Sequence, residues 1–310
     1  MRRLNFAVLV VLLVDALGVG PAAAGDVVAL ISAPVEAYEE ALKGFEGSLR
    51  GHRVVKAHQM GGDLKRGRAI LAELPAEQKP DLVFAVGLWA LEAALKQPAG
   101  VPVVYAMVLN PASVVGRQPA NVTGASMNVP VAESLGLLKQ LGPQIRRVGV
   151  VFDEAKTGYL VKEAQALAYT TGIELVARSV RSPGEAIQAI DALQREGIDA
   201  FWFLPDETLL AEPVSKHVFL VAHRHGIPIL GLSERQAKMG AVLALTFGSS
   251  EDIGSQAGEL ANAVLGGAPA SAVPATSARL VSLTVNLKAA KKLGVEIPES
   301  ILVAANEVIK

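Results

Sequence analysis

The feature that most constrains this sequence is the regular alternation of short apolar runs with amphipathic segments. Val27–Ile31 and Ala200–Leu204 are apolar at every position and have the length of strands. The stretch from Tyr38 to Leu49 instead places apolar residues at the 3.6-residue spacing of a helix. Continuous apolar strands are buried on both faces, which is typical of parallel sheets covered by helices. The sequence therefore predicts an α/β fold with doubly wound parallel, Rossmann-like sheets.

The same pairing of strand and helix recurs along the whole chain. Ser182 to Glu185 form a capping box with Pro183 at the first helical position, which predicts a helix start there. A loop rich in Pro and Gly ends at Asn121–Gly124, where a fresh series of units begins and where we expect the chain to cross into a second lobe. A chain of 310 residues exceeds the usual size of one core, so two lobes are expected. The predicted strands are 27–31, 53–57, 81–86, 101–107, 147–152, 173–180, 200–204, 227–230 and 241–246.

The N-terminus has the pattern of a secretory signal peptide. Arg2 and Arg3 precede the apolar run Leu4–Val14, and Ala22–Ala24 supplies the small residues of a cleavage site. Asp15 interrupts the run before it reaches the roughly 20 residues of a membrane span. The sequence predicts a cleaved signal peptide at residues 1–24, with an uncleaved anchor or a buried helix as the alternatives. Because the chain has 0 Cys to carry a lipid, we expect a soluble periplasmic product and not a lipoprotein.

Composition and motifs exclude several classes of function. The 29 Lys and Arg residues are balanced by 30 Asp and Glu, so the charge surplus of a nucleic-acid-binding protein is missing. No phosphate loop or dinucleotide fingerprint follows a strand, and no cofactor is predicted. Gly231–Arg235 resembles a nucleophile elbow but lacks its second Gly. His217, His223 and His225 do not share one helical face, so no metal site is predicted. The sequence does not predict an enzyme.

Candidate binding residues follow the predicted strands, because ligands of doubly wound sheets bind beyond the carboxyl ends of strands. Trp89 comes directly after Gly87, at a turn where the backbone can approach a ligand; the alternative is a core tryptophan. Asp206 and Glu207 follow the strand Ala200–Leu204 and could bind an ammonium group or cap the next helix. Ser233 has the equivalent place after the next strand, again with capping as the alternative.

The expected cleft combines backbone donors with apolar walls. We expect N–H groups around Ser32–Val35 and Gly87–Trp89 to face a carboxylate, because helix N-termini carry partial positive charge and unpaired donors. Met107, Leu109 and Tyr159 would join the tryptophan as apolar and aromatic walls. The set of candidate ligand-binding residues is completed by Ser32, Tyr38, Leu88, Asn110, Asn128 and Phe247.

Several short segments occur in the order and spacing of a known family. They lie between Asn121 and the C-terminus and include Asn121–Gly124, Leu141–Pro143, Gly226–Pro228, Asp252–Gly254 and Asn286–Lys288. On these segments the chain resembles the substrate-binding proteins of ABC importers, in particular the group with tryptophan-binding and other aromatic-amino-acid-binding members. Before Asn121 the similarity is looser and rests on Tyr38, Gly44, Phe45 and the strand at 81–86.

The resemblance implies a type I periplasmic binding protein, with two lobes joined by three crossings around a ligand cleft. Lobe 1 would comprise residues 26–121 plus about 247–276, and lobe 2 residues 122–246 plus about 277–310. Hinge closure on the ligand is expected near Ala120–Gly124, Leu245–Gly248 and Ala275–Leu280. Where many relatives have Asp-Pro this chain has Asn110-Pro111, which could offer only a neutral carbonyl to an ammonium group.

The implied function is capture of a small molecule, an amino acid or similar organic solute, for delivery to an ABC permease in the inner membrane. The chain is expected to act as a monomer, without cofactor or nucleic acid. A periplasmic sensor that presents its ligand to a chemoreceptor or sensor kinase is the alternative, since the same cleft would serve both. An α/β enzyme is disfavoured because no acid, base and nucleophile set emerges.

Overall fold

The computed structural model describes residues 24–75, 79–97, 100–116 and 121–310, which form two parallel-dominated α/β lobes. Almost all of the predicted signal peptide lies outside the described residues. The strands are β1 Asp26–Ile31, β2 Arg53–Gln59, β3 Leu82–Val86, β4 Val103–Val108, β5 Val122–Ser126, β6 Arg147–Phe152, β7 Glu174–Ser179, β8 Ala200–Trp202, β9 Ile229–Gly231, β10 Leu243–Phe247, β11 Val281–Asn286 and β12 Glu307–Ile309.

Helices separate most of the strands, as the alternating pattern predicts. The predicted start after Ser182 is confirmed, because the hydroxyl of Ser182 accepts a hydrogen bond from the N–H of Glu185 at 3.3 Å. The helices are α1 Glu36–Ser48, α2 Leu64–Ala72, α3 Leu88–Ala94, α4 Ala112–Val115, α5 Val131–Gln140, α6 Glu154–Thr171, α7 Pro183–Arg195, α8 Glu207–Leu210, α9 Glu212–His225, α10 Glu234–Met239, α11 Ser250–Leu265, α12 Leu287–Leu293 and α13 Glu299–Ala304.

Each lobe contains one sheet with helices on both faces. The first sheet has the strand order β2-β1-β3-β4-β5 and is parallel throughout. The second has the order β12-β11-β10-β9-β8-β6-β7, and only the pairing of β10 with β11 is antiparallel. The predicted doubly wound α/β fold is confirmed. The carboxyl ends of both parallel sets are the edges at which a ligand is expected.

The first crossing lies later than the sequence predicts. Val122–Ser126 does not open the second lobe, because it is β5 and pairs with β4 at the edge of the first sheet. Because its residues are small or polar, this strand lacks the apolar pattern of a buried strand. Its hydroxyl groups nevertheless have defined hydrogen-bond partners. The hydroxyl of Thr123 donates to the carbonyl of Val273 at 2.8 Å, and the hydroxyl of Ser126 to that of Thr276 at 3.1 Å. The chain therefore enters lobe 2 after Ser126.

Helix α11 returns the chain to the first lobe, where it packs closely along α1. A Cβ on Gly44 would lie 1.9 Å from the carbonyl oxygen of Glu251, and a Cβ on Gly254 would lie 1.9 Å from that of Ala41. The two helix backbones thus touch at their glycines. Apolar residues of α11, such as Ile253, pack with β1 and β3 in one core cluster. None of the helices in the described ranges combines the length and the apolar character of a membrane span.

Candidate functional site

A cavity of about 310 Å³ lies where the carboxyl ends of β8, β9 and β10 meet the segments that join the lobes. This volume is at the lower end of the range of about 300–1,000 Å³ for small-molecule sites. Among the lining residues, Leu109 of lobe 1 is 40 % exposed, whereas Trp202 is buried. The lining residues are Leu109, Met127, Asn128, Val129, Val131, Ser134, Leu160, Trp202, Leu204, Pro205, Leu210, Leu232, Ser233, Gln236, Leu245, Thr246 and Phe247.

The lining of this cavity carries no ionisable side chain among the residues that the structure describes. Most of the wall is aliphatic or aromatic, and the polar lining groups are amides and hydroxyls. An uncharged wall of this kind suits the apolar part of a ligand, because a charged group placed there would lose its hydration without gaining a counter-charge. A charged end of the ligand would have to lie elsewhere in the cleft.

A cluster of three hydrogen-bonded side chains joins the lobes beside the cavity. The hydroxyl of Tyr159, on α6, donates to Oδ1 of Asn110 at 2.9 Å and accepts from Nδ2 of Asn128 at 3.2 Å. Nδ2 of Asn110 donates to the carbonyls of Lys156 and Pro205 in lobe 2, at 3.2 and 3.3 Å. Asn110 therefore acts as a donor towards the second lobe, a role that an aspartate could not fill.

Left-handed backbone at the end of β4 places Asn110 in this position. Met107 has φ 57° and Asn110 has φ 51°, in a region that non-glycine residues seldom adopt. The pairing of β4 with β5 shifts register between Ala106 and Val108, so the strand is bulged there. Oδ1 of Asn128 accepts a hydrogen bond from the backbone N–H of Asn110 at 2.8 Å. Local strain of this kind is often associated with functional sites.

Ser32, Tyr38 and Gly87 meet at the carboxyl ends of β1 and β3 in lobe 1. Gly87 has φ 86°, and a Cβ there would lie 2.7 Å from both the Ser32 hydroxyl and the Tyr38 hydroxyl. The hydroxyl of Ser32 accepts from the N–H of Ala90 at 2.9 Å. Only glycine fits this close approach and this backbone conformation. Burial raises the pKa of the Tyr38 phenol above its ordinary value.

Leu88 and Trp89 form the first turn of α3, beside this group. Trp89 is 45 % exposed and its ring lies over Gly62, so the core alternative for this tryptophan is wrong. The N–H groups at the start of a helix have no acceptor within the helix. Those of Leu88 and Trp89 donate to no other group in the described part of the chain. Trp89 does not line the uncharged cavity, however.

The structure favours the capping interpretation of Asp206. This residue is fully buried and is the N-cap of α8. Its Oδ2 accepts from the Thr157 hydroxyl at 2.6 Å and from the N–H of Asp153 at 2.8 Å, and its Oδ1 accepts from the N–H of Thr208 at 2.9 Å. Glu207 points outward and pairs with Lys156 at 3.5 Å. Neither acid faces the cleft as a free partner for an ammonium group.

The remaining predicted residues divide between the cavity and the core. Leu109, Asn128, Ser233 and Phe247 line the cavity. Ser233 also caps α10, through a hydrogen bond from the N–H of Gln236 at 3.3 Å. Met107 is buried in the core of lobe 1 and does not form a wall.

Sequence reasoning missed most of the inner lining, including Ser134, Trp202, Gln236 and Thr246. Ser134 and Gln236 lie within helices, where no strand end marks them. No sequence signal is common to them: Thr246 stands between apolar residues, but Ser134 follows Glu133 and Gln236 follows Arg235.

The histidines of α9 do not form a metal site. Nε2 of His217 lies 2.7 Å from Oδ1 of Asp191, and burial lowers the pKa of His223, whose ring packs against Gly240. Over the residues that the structure describes, no group of three or more His, Asp or Glu side chains could hold a metal ion.

The family model for ABC transporter substrate binding proteins matches residues 27–309, nearly the whole described chain. The chain belongs to this family. The resemblance read from the short segments is confirmed, and the protein is a substrate-binding protein and not an enzyme.

The individual relatives have low sequence identity to this chain. A tyrosine-binding protein of Clostridioides difficile is 26 % identical over 241 residues, which are 76 % of this chain and 68 % of the relative. A ligand-free, open substrate-binding protein with adhesive properties from Clostridium difficile has a TM-score of 0.68 at 22 % identity, over 92 % of this chain and 99 % of that one.

A third comparison agrees on the fold. An ABC domain in complex with L-Trp from Streptococcus pneumonia has a TM-score of 0.61 at 21 % identity, over 92 % of this chain and 100 % of that one. The type I periplasmic binding fold with two lobes, expected from the sequence, is therefore confirmed.

Proposed function

We propose that this protein captures a free amino acid with an aromatic or apolar side chain between its lobes and delivers it to an ABC permease of the inner membrane. The observation that carries the proposal is the interlobe cavity of about 310 Å³ without an ionisable group in its described lining. A cavity of this size is suited to a small ligand, and its aliphatic and aromatic walls match an apolar side chain.

The relatives support an amino acid as the ligand. One family member is a tyrosine-binding protein, and a structure of the same fold holds L-Trp. In this proposal the side chain of the ligand enters the cavity on the lobe 2 side. Its carboxylate meets the N–H groups at Leu88 and Trp89 on lobe 1, with the hydroxyl of Tyr38 close to the same turn.

The ammonium group would be held by neutral acceptors, because Asp206 and Glu207 are engaged within lobe 2. This arrangement takes the place of the pair of acid and ammonium groups that we expected from the sequence. Carbonyl, amide and hydroxyl oxygens bind an ammonium group less strongly than a carboxylate does. The apolar side chain would then contribute most of the binding free energy.

Cleavage of residues 1–24 and release into the periplasm as a monomer are part of the proposal and rest on the N-terminal sequence. The alternative partner is a chemoreceptor or sensor kinase. Transport of a radiolabelled ligand into cells that lack only this protein distinguishes the two, because loss of uptake supports the permease.

The ligand class can be tested by isothermal titration calorimetry with the free L-amino acids, and with sugars and dipeptides as the contrasting solutes. Aromatic and large aliphatic amino acids should bind, while aspartate, lysine and the sugars should not. Saturable binding of a sugar or a charged amino acid, with no binding of an aromatic one, would refute the proposal.

A charge at an exposed residue of the cavity lining provides a matched test of where the ligand binds. Leu109→Lys places an ammonium group beside the cavity, whereas Leu220→Lys makes the same change at a similarly exposed position on α9, away from the cleft. The first variant should lose affinity at least tenfold, and the second should bind as the wild type does. Equal binding by both variants would place the ligand elsewhere.

A further inference from the structure

Gln236 is the most informative polar residue of the cavity wall. It is only 7 % exposed, and it lies on α10 with its side chain directed back along the turn that follows β9. Its Oε1 accepts a hydrogen bond from the backbone N–H of Leu232 at 2.6 Å. A backbone N–H must meet an oxygen, so this contact fixes the orientation of the amide and leaves Nε2 as its free end.

The free end of that amide faces the cavity. Nε2 of Gln236 donates to no acceptor among the described residues, yet it is not one of the fully buried polar atoms without a partner. It therefore keeps accessible surface, and Gln236 lines the cavity. The NH₂ group of Gln236 is thus available to hydrogen-bond an occupant of the cavity. Leaving such donors unmatched beside an apolar group costs free energy.

Two other polar side chains of the cavity wall also have a group that is free to form a hydrogen bond. Ser134, 4 % exposed, contributes a hydroxyl that makes no hydrogen bond with another described residue. Nδ2 of Asn128 uses one N–H for the Tyr159 hydroxyl and keeps a second. The inner wall therefore offers amide donors and a hydroxyl, set among aliphatic side chains and Trp202.

We infer that the cavity selects a side chain that is apolar along its length and ends in a hydrogen-bond-accepting group, with Gln236 as the specificity-determining residue. A phenol has this form, because its ring suits the apolar wall and its hydroxyl oxygen accepts from Nε2. The inference rests on the proposed function, because it assumes that the side chain of an amino acid enters this cavity.

The test compares L-tyrosine, L-phenylalanine and L-4-methylphenylalanine by calorimetry on the intact protein. Tyrosine should bind between about fivefold and a hundredfold more tightly than phenylalanine, the range that one buried hydrogen bond and an unmatched donor span. The methyl analogue has nearly the size of tyrosine without its oxygen, and it should bind no better than phenylalanine. Equal affinity for tyrosine and either analogue overturns the inference.

Gln236→Met keeps the length of the side chain and removes both donors. It should bring the ratio of tyrosine to phenylalanine affinity close to one by weakening tyrosine binding alone. Gln256→Met is the matched control, since Gln256 is equally buried but lies on α11 and hydrogen-bonds Asp252. An unchanged ratio in a folded Gln236→Met protein overturns the inference. If that variant does not fold, the three-ligand comparison on the wild type decides.

The two proposals fail in different ways. If no amino acid binds, the proposed function fails and the inference with it. If aromatic amino acids bind without discrimination at the para position, only the role of Gln236 is refuted.

Discussion

The contact between α1 and α11 yields a quantitative prediction for Gly44→Ala. The new Cβ would lie 1.9 Å from the carbonyl oxygen of Glu251, about 1.1 Å short of the 3.0 Å below which Cβ atoms are essentially never found. The clashing atom belongs to a helix backbone and cannot rotate away, so the helices must separate. Overpacking of this kind costs about 3 kcal/mol, while alanine gains about 1 kcal/mol over glycine as a helix former.

Gly47→Ala is the matched control on the same helix. A Cβ at Gly47 meets nothing within 4 Å, so this variant keeps the gain in helix propensity without the clash. Gly44→Ala should therefore lower the free energy of unfolding by about 2 kcal/mol, and Gly47→Ala should raise it by up to about 1 kcal/mol. Their difference of about 3 kcal/mol isolates the helix contact, because propensity cancels.

Equilibrium unfolding in urea, followed by circular dichroism and by tryptophan fluorescence, measures this difference. The two probes should be compared because a two-lobed protein need not unfold in a single step. If Gly44→Ala is as stable as Gly47→Ala, the close approach of α1 and α11 is wrong, and so is the reasoning that ties α11 to lobe 1 through its glycines.

Three further predictions concern buried or partly buried polar side chains. Asn110→Asp removes both N–H donors to the carbonyls of lobe 2. Small-angle scattering should therefore show a more open protein, and ligand affinity should fall about tenfold. An unchanged scattering profile would contradict this. Asp206→Asn places an amide NH₂ among three hydrogen-bond donors. It should lower the free energy of unfolding by about 1–3 kcal/mol and have a smaller effect on ligand affinity. A large loss of affinity at unchanged stability would instead support Asp206 as a ligand-binding acid. Burial raises the pKa of Tyr38, Tyr105 and Tyr159 above the unfolded value near 10. The stability that these residues contribute is therefore present below about pH 10 and is lost as the pH rises beyond it. An ultraviolet titration in which all tyrosines ionise together at about pH 10 would refute this.

The sequence predicts the fold well because its signals are local. Runs such as Val27–Ile31 are apolar at every position, and a buried parallel strand requires that pattern. The capping box at Ser182 is read from four adjacent residues. In contrast, β5 has the sequence VTGAS, and its hydroxyls are satisfied by a segment about 150 residues away. No local pattern could identify it as a strand.

The site is less predictable because it depends on side-chain partners. Asp206 and Ser233 occupy equivalent positions after strands, yet the acid turns inward to three donors while the serine lines the cavity. Position along the chain cannot decide this, since it depends on Thr157 and Asp153, which belong to another βα unit. Gln236 was missed for the same reason, because its free N–H groups become evident only once Leu232 is seen to occupy its oxygen.

The return of α11 to the first lobe has a consequence for synthesis of the chain. All five strands of the first sheet have been made once Ser126 emerges, but α11, which covers one apolar face of that sheet with α1, begins only at Ser250. At about 5–20 residues per second, this interval lasts roughly 6–25 seconds. During that time the apolar residues around Phe84 lack the cover of α11, and the nascent chain exposes an apolar surface of the kind that chaperones bind.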